Sequence, residues 1–343
     1  MKQRIIILSV LTLLAAGTLL ALDLSSEAPN RKPNGFSRKI LPLKLKETAR
    51  ANFGINFTEI CGIQSDSIFL SSLIPGKIYL CRPDLKKLDT LDLHLPFIAK
   101  MAPVFYTTVN YPNIYILGGN ARKLIIGNLN EGKYEIRHLE TGAFNNEVVI
   151  NPNCFIVRAI DTSVMSALFT KVNNQGKITG KDSNLSLRLR DAGFIHDGML
   201  NYDEQSGNLL YVEYYSNQIT CFDTAFKLIY RNHTIDTIYT SPIKVGDTEG
   251  KLMASVPSTV LNRNSHVYNG VLYIISNLMA DNERPGWFRE NSVVDQYTSK
   301  SGKYIGSIYL PILPNQKPRF YTLNAEQTIV LTQEELISYT NTH

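Results

Sequence analysis

Apolar positions in this chain come in short unbroken runs, not at helical spacing, and six of the runs are near copies of one another. Each opens on a polar or glycine turn residue and continues through β-branched, aromatic and leucine positions. The copies occupy residues 66–72, 113–119, 153–159, 208–214, 270–276 and 327–333. A strand that is apolar on both faces is one packed between two neighbours, whereas a half-exposed strand alternates. Such alternation is found in residues 37–46, Ser-Arg-Lys-Ile-Leu-Pro-Leu-Lys-Leu-Lys.

Neighbouring copies lie roughly 40 to 60 residues apart, the length of one four-stranded propeller blade. The pattern predicts an all-β fold, a six-bladed β-propeller of four-stranded blades over residues 37–343. Five blades fall near residues 57–95, 104–139, 146–189, 197–239 and 263–310. The sixth has only three strands, near 319–323, 328–332 and 335–339, before the chain ends. An open ring would leave an unpaired edge. The alternating segment 37–46 is the predicted fourth strand, closing the ring from the N-terminal side beside residues 335–339.

The first 22 residues differ in character. Lys2 and Arg4 precede residues 5–22, which carry no charge. As a helix this run spans roughly 27 Å, close to the thickness of a bilayer core and longer than the apolar part of most signal peptides. Two outcomes stay open: cleavage after Ala15-Ala16-Gly17, leaving a soluble protein, or retention as a membrane anchor. The run continues well past that site, which favours the anchor. Residues 23–36, rich in Ser, Pro and Asn, read as a linker. Export to the cell envelope follows, on the periplasmic side of the inner membrane, with the membrane itself as a partner through residues 1–22.

The net charge of +5 is concentrated at the start, where nine Lys or Arg face three acidic residues up to position 50. The remainder has 26 basic and 27 acidic residues. A near-neutral body lacks the basic field that nucleic-acid binding needs, so no nucleic-acid partner is expected. Cys61, Cys81, Cys154 and Cys221 form no paired motif. Cys61 and Cys81 fall in the first and third strands of one blade, about 10 Å apart, too far for a disulfide.

Residues 207–223, Gly-Asn-Leu-Leu-Tyr-Val-Glu-Tyr-Tyr-Ser-Asn-Gln-Ile-Thr-Cys-Phe-Asp, resemble the repeat of NHL-type and TolB-like six-bladed propellers. Asn217, Ile219, Phe222 and Asp223 fit that repeat, and Glu213 stands where Asp is usual. The resemblance implies the fold; propellers of this kind include binders, scaffolds, lactonases and lyases, so it leaves the function open.

No nucleophile elbow, phosphate loop, dinucleotide loop, EF-hand or zincin motif occurs, and no two of the six histidines have ligand spacing. The outlier is residues 277–292, between the second and third strands of blade five, where other blades turn with a handful of residues. It contains the single tryptophan, Trp287, flanked by Arg284 and Arg289, residue types that concentrate binding energy. Its length has no evident structural need. His196, Asp197 and His266 sit at the starts of, or within, innermost strands and point to the channel mouth, where Arg122 and Arg158 add positive charge. These eight residues are the expected binding set of a non-catalytic envelope propeller that takes a protein partner or small ligand on its loop-rich face, with no cofactor. The alternative is a calcium-dependent, lactonase-like hydrolase, with Glu59, Asn151 and Asp197 as the metal ligands. Glu59 lacks the Gly-Pro context of that family.

Overall fold

The computed structural model describes residues 2–27, 33–42, 44–64, 66–240, 242–248, 251–254, 260–311, 316–324 and 326–342. Six antiparallel sheets of four strands form the six blades. Each of the six recurrent runs becomes the second strand of its blade: Ser67–Ser72, Asn113–Gly118, Cys154–Asp161, Asn208–Glu213, Val271–Ser276 and Gln327–Leu331. The innermost strands are Phe57–Gln64, Phe105–Asn110, Phe144–Asn151, Gly198–Asp203, Asn262–Tyr268 and Phe320–Leu323, and each touches the next around a closed ring.

Strand alternation explains why the second strands are apolar on both faces. Ile68 and Leu70 pack into the cluster shared by blades six and one, while Phe69 between them packs into the cluster shared with blade two. Ile114 and Ile116 face one interface and Tyr115 and Leu117 the other. The pattern repeats round the ring, giving six buried clusters for six interfaces. Cys61 lies in a first strand, Cys154 in a second and Cys81 and Cys221 in third strands, and all four are free thiols.

The ring closes from the N-terminal side, with a shifted boundary. Lys44–Ala51 pairs antiparallel with Leu336–Thr342 as the outermost strand of blade six, from Lys44 opposite Thr342 to Ala51 opposite Leu336. The expected strand was 37–46. Its first half instead lies on blade five: Ile40 bridges Ser307 in parallel, and the Ser307 backbone bonds Lys39 and Leu41. Leu41 fills the space left by Gly306, where any Cβ would clash with it. The apolar alternation of 37–46 thus reports a strap crossing the outside of blade five, not one continuous edge strand.

The strap's anchor is Arg38, which is 4% exposed. Its five N–H donors are all used. Nε and Nη2 bond the two Asp295 carboxylate oxygens at 2.8 and 2.9 Å, Nη1 bonds Glu283 at 2.5 Å and the Leu278 carbonyl at 2.9 Å, and Nη2 also reaches Ser276. Asn282 brackets the Arg38 backbone from both sides, and Asp281 holds the Asn34 and Gly35 amides. The long loop of blade five therefore has a structural task that its sequence did not reveal: residues 278–283 are the receptor for the strap. For the same reason the last residues of the expected linker, Asn34 to Phe36, are part of the folded body.

A helix spans Lys2–Glu27, past the expected limit at residue 22, with Ile7, Val10, Leu11, Leu13, Leu14 and Leu19 all exposed. Among the described residues no helix is long and apolar enough to cross a membrane. A two-stranded hairpin, Val245–Thr248 with Lys251–Ala254, is inserted between blades four and five and was not foreseen.

Breaking a buried ion pair from one side leaves uncompensated charge and typically costs about 3–5 kcal/mol. Arg38→Ala should lower unfolding free energy by that order in urea titration, whereas Lys39→Ala, exposed one residue away, should change it by under about 0.5 kcal/mol. Equal effects of the two substitutions would show that the strap does not depend on Arg38.

Candidate functional site

The two faces of the disc differ. Turns from second to third strands and crossings between blades gather on one, here the crossing face; the turns from first to second strands gather on the other, the turn face. The innermost strands wall a cavity of about 920 Å³ to which all six blades contribute, among others through Glu59, Tyr106, Glu147, Asn201, His266 and Thr322. Exposed Gln64, Asn110, Gln205 and Asn269 line its outer end on the turn face. From Gln64 up the strand to Glu59 is five residues, so the well is about 17 Å deep. Its floor carries Glu59, Tyr106, Glu147 and Tyr214.

The floor is acidic and short of partners. Glu59 Oε1 accepts from Ser71 Oγ at 2.9 Å and from the Thr107 amide at 3.2 Å. Glu147 Oε1 accepts from Thr108 Oγ1 at 3.1 Å, and its Oε2 is buried with no hydrogen-bond partner. Thr107 Oγ1 and Asn264 Oδ1, in the same wall, are likewise buried and unpartnered. Among the described residues, no lysine or arginine forms an ion pair with either glutamate. Burial pushes the Glu59 carboxyl up to about 7. Burial, reinforced by the neighbouring Glu59, pushes Glu147 up to about 8. Burial, together with Tyr214 and these carboxylates, holds the Tyr106 hydroxyl well above its ordinary value.

Above the floor, towards the crossing face, lies a second and self-satisfied cluster. Arg158 is buried over the Tyr211 ring, 5.5 Å from its centroid. It donates to Asn145 Oδ1 at 3.3 Å, to Asp197 at 3.5 Å, and to the Gly193 and His196 carbonyls at 3.0 and 3.1 Å. Gly193 has a φ of +80°, a region that favours glycine, and a Cβ there would lie 2.8 Å from the guanidinium. Asn145 Nδ2 and the Gly198 amide bond Asp197 Oδ1 at 2.8 and 2.9 Å. His196 Nδ1 lies 2.9 Å from Glu213 Oε1, and that bond raises the imidazole above its ordinary value.

The structure brings Arg158, His196 and Asp197 together, as a hydrogen-bonded plug rather than an open site. His266 lines the well lower down, 3.3 Å from Thr322, and desolvation lowers it to about 4, so it is neutral near pH 7. Arg122 stands exposed in a turn on the crossing face. Arg284, Trp287 and Arg289 lie on and beside a one-turn helix, Pro285–Glu290, at the rim of that face. Trp287 is 51% exposed and meets Tyr309 edge-on at 5.7 Å. The trio Glu59, Asn151 and Asp197 is not gathered on one point. Asp197 binds Asn145, and Asn151 is six residues further along the same strand, about 20 Å away. Among the described residues no group of three His, Cys, Asp or Glu could hold a metal.

Sequence reasoning missed Tyr106, Glu147 and Tyr214. The usable signal was a charge within an innermost strand, present in both Thr-Glu-Ile at Glu59 and Asn-Glu-Val at Glu147. The motif residues have structural tasks: the fully buried Asn217 donates to the Asp236 carbonyl at 2.8 Å and accepts from His233, stapling the exit of blade four.

Each floor carboxyl holds its proton more tightly folded than unfolded, because both lie above the ordinary 4.5. Stability from these groups is complete below about pH 4.5 and is lost as pH rises towards 7–8, by an amount on the order of 3–5 kcal/mol for each carboxyl. Glu147→Gln should flatten this slope in urea titrations between pH 5 and 8. A wild-type profile that rises across that window would contradict the assignment.

The sequence matches no family model. It also matches no curated protein. Solved structures are similar in fold. A member of the DUF4221 family from Bacteroides vulgatus is 12% identical, with a TM-score of 0.54 over 89% of this chain and 99% of that one. Virginiamycin B lyase from Staphylococcus aureus is also 12% identical, with a TM-score of 0.50 over 87% and 99%. BamB from Moraxella catarrhalis is 9% identical over 90% and 97%, at a TM-score of 0.42. At these identities the likeness establishes a β-propeller and nothing finer.

Proposed function

We propose that the protein is a non-catalytic binding propeller of the cell envelope, tethered through its N-terminal helix, whose channel takes a ligand bearing an ammonium group. The group belongs either to a small molecule or to a side chain presented by a partner protein; the recognition chemistry is the same. One observation carries this reading. At the foot of a deep polar well, two glutamates share a floor with two tyrosines, and one carboxylate oxygen has no partner at all. A cation entering the well would favour the ionised form of carboxyls that burial makes hold their protons, and tyrosine rings favour cations at their faces. Of the residues expected to supply chemistry, Arg158, His196 and Asp197 are held in mutual hydrogen bonds, which suits a closed plug behind the binding site. The tether rests on the charge-free residues 5–22 and on the exposed apolar side chains of the helix, since a helix apolar around its circumference needs lipid or protein cover.

The test uses 1,4-diaminobutane against 1,4-butanediol, which has the same length without charge. By calorimetry the diamine should bind at least about tenfold more tightly than the diol. At pH 6.5 its binding should release protons, seen as a dependence of the observed heat on the buffer. Glu59→Gln combined with Glu147→Gln should remove both the preference and the proton release. Equal binding of the two probes would overturn the reading.

A further inference from the structure

Exposed apolar side chains are distributed unevenly over the propeller. Outside the N-terminal helix, fifteen large hydrophobic residues are exposed among those described, and ten of them lie in the turns and crossings of one face. Leu73 and Phe97 project at blade one, Leu187 between blades three and four, Tyr239 and Met253 between blades four and five, and Trp287 at blade five. On the turn face only Tyr111 does so. These residues are not one loop's accident. They come from blades one, three and five and from the crossings after blades one, three and four, all on the same side of the disc.

The strap ties the N-terminal helix to this same face. Asn34 is bonded to Asp281 and Met279 in the long loop, and its carbonyl accepts from Thr237 in the adjoining crossing. From Glu27, the end of the helix, to Asn34 is seven residue steps, which a fully extended chain covers in at most about 25 Å. A helix held in lipid therefore keeps the crossing face close to the bilayer surface, and a turn-face-down orientation is out of reach without unhooking Arg38.

We infer that the crossing face is a membrane-docking surface: its ring of exposed apolar residues rests in the headgroup region, and the channel mouth on the opposite face points away from the membrane. Tryptophan and tyrosine are at home at that depth, and Lys317, stacked on Phe288 5.2 Å away, and Arg284 supply headgroup contacts beside Trp287. The crossing-face segments carry no excess of basic residues, so apolar insertion and the tether, not anionic lipid, drive the docking. This inference rests on the tether proposed above.

Trp287 is the chain's single tryptophan and reports directly. The full chain is reconstituted into phosphatidylcholine vesicles, with and without lipids brominated near the headgroup, and floated on a density gradient. Docking predicts co-flotation, a blue-shifted emission and about a twofold loss of Trp287 fluorescence with the brominated lipid. Phe97→Asp with Leu187→Asp, both at exposed positions, should reduce the quenching while flotation and thermal unfolding stay as in the wild type. A protein that floats with unquenched Trp287 would overturn docking, keep the tether, and leave the apolar ring to a protein partner. A protein that stays at the bottom of the gradient would overturn the tether and the docking with it.

Discussion

Closure of the ring is the constraint from which the rest follows. Each blade buries one apolar face against each neighbour, so six interfaces exist only if blade six meets blade one. That meeting depends on Lys44–Ala51, a strand with few apolar side chains of its own. Its sequence gives weak reason to form an edge, and the fixed point lies upstream, where Arg38 is buried between Glu283 and Asp295. A buried ion pair is poor at adding net stability but strict about geometry, since a guanidinium displaced by one residue would leave two carboxylates uncompensated. Arg38 thus sets the register of the closing segment, while the six apolar clusters supply the free energy.

This division of labour explains what could be read from the sequence. The six second strands were legible because burial on both faces imposes an apolar run that short turns delimit, and the run recurs in nearly the same wording at blade spacing. The need for a closing strand was legible as a missing fourth strand. Its position was not, because Leu41, Leu43 and Leu45 alternate with Pro42, Lys44 and Lys46 as an edge strand would. The distinguishing fact, that Leu41 fits a hollow left by Gly306, joins positions hundreds of residues apart. The length of the blade-five loop misled for the same reason: its partner is the strap, and nothing local to residues 277–292 says so.

The candidate site was partly legible. Glu59, His196, Asp197, His266 and Arg158 were singled out by type and by place in their strands; Glu59 and His266 line the channel, while Arg158, His196 and Asp197 are hydrogen-bonded to one another beside it. What a linear reading could not sort was depth along the axis. Arg158 and Asp197 belong to a hydrogen-bonded plug, Glu59 to the floor beneath it, and Asn151 to the far end of its strand. Two residues of strand decide between those levels, a resolution finer than element boundaries drawn from sequence allow.

The floor of the well and the plug above it show opposite solutions to burying polar groups. Around Arg158 every charge meets a complement, so the cluster is a fixed part of the framework. At Glu59 and Glu147 two like groups approach one another with hydroxyl and amide donors alone, and burial raises both above the ordinary carboxyl range. A framework selected only for stability would place apolar or amide side chains there, as blade four does with Met199 and Asn201. Retaining two carboxyls, with their lost stability at neutral pH, is the pattern of a site whose geometry serves a ligand. The plug lies between the floor and the crossing face, so the approach to that site is from the turn face, the side of the disc that stays free if the other rests on lipid.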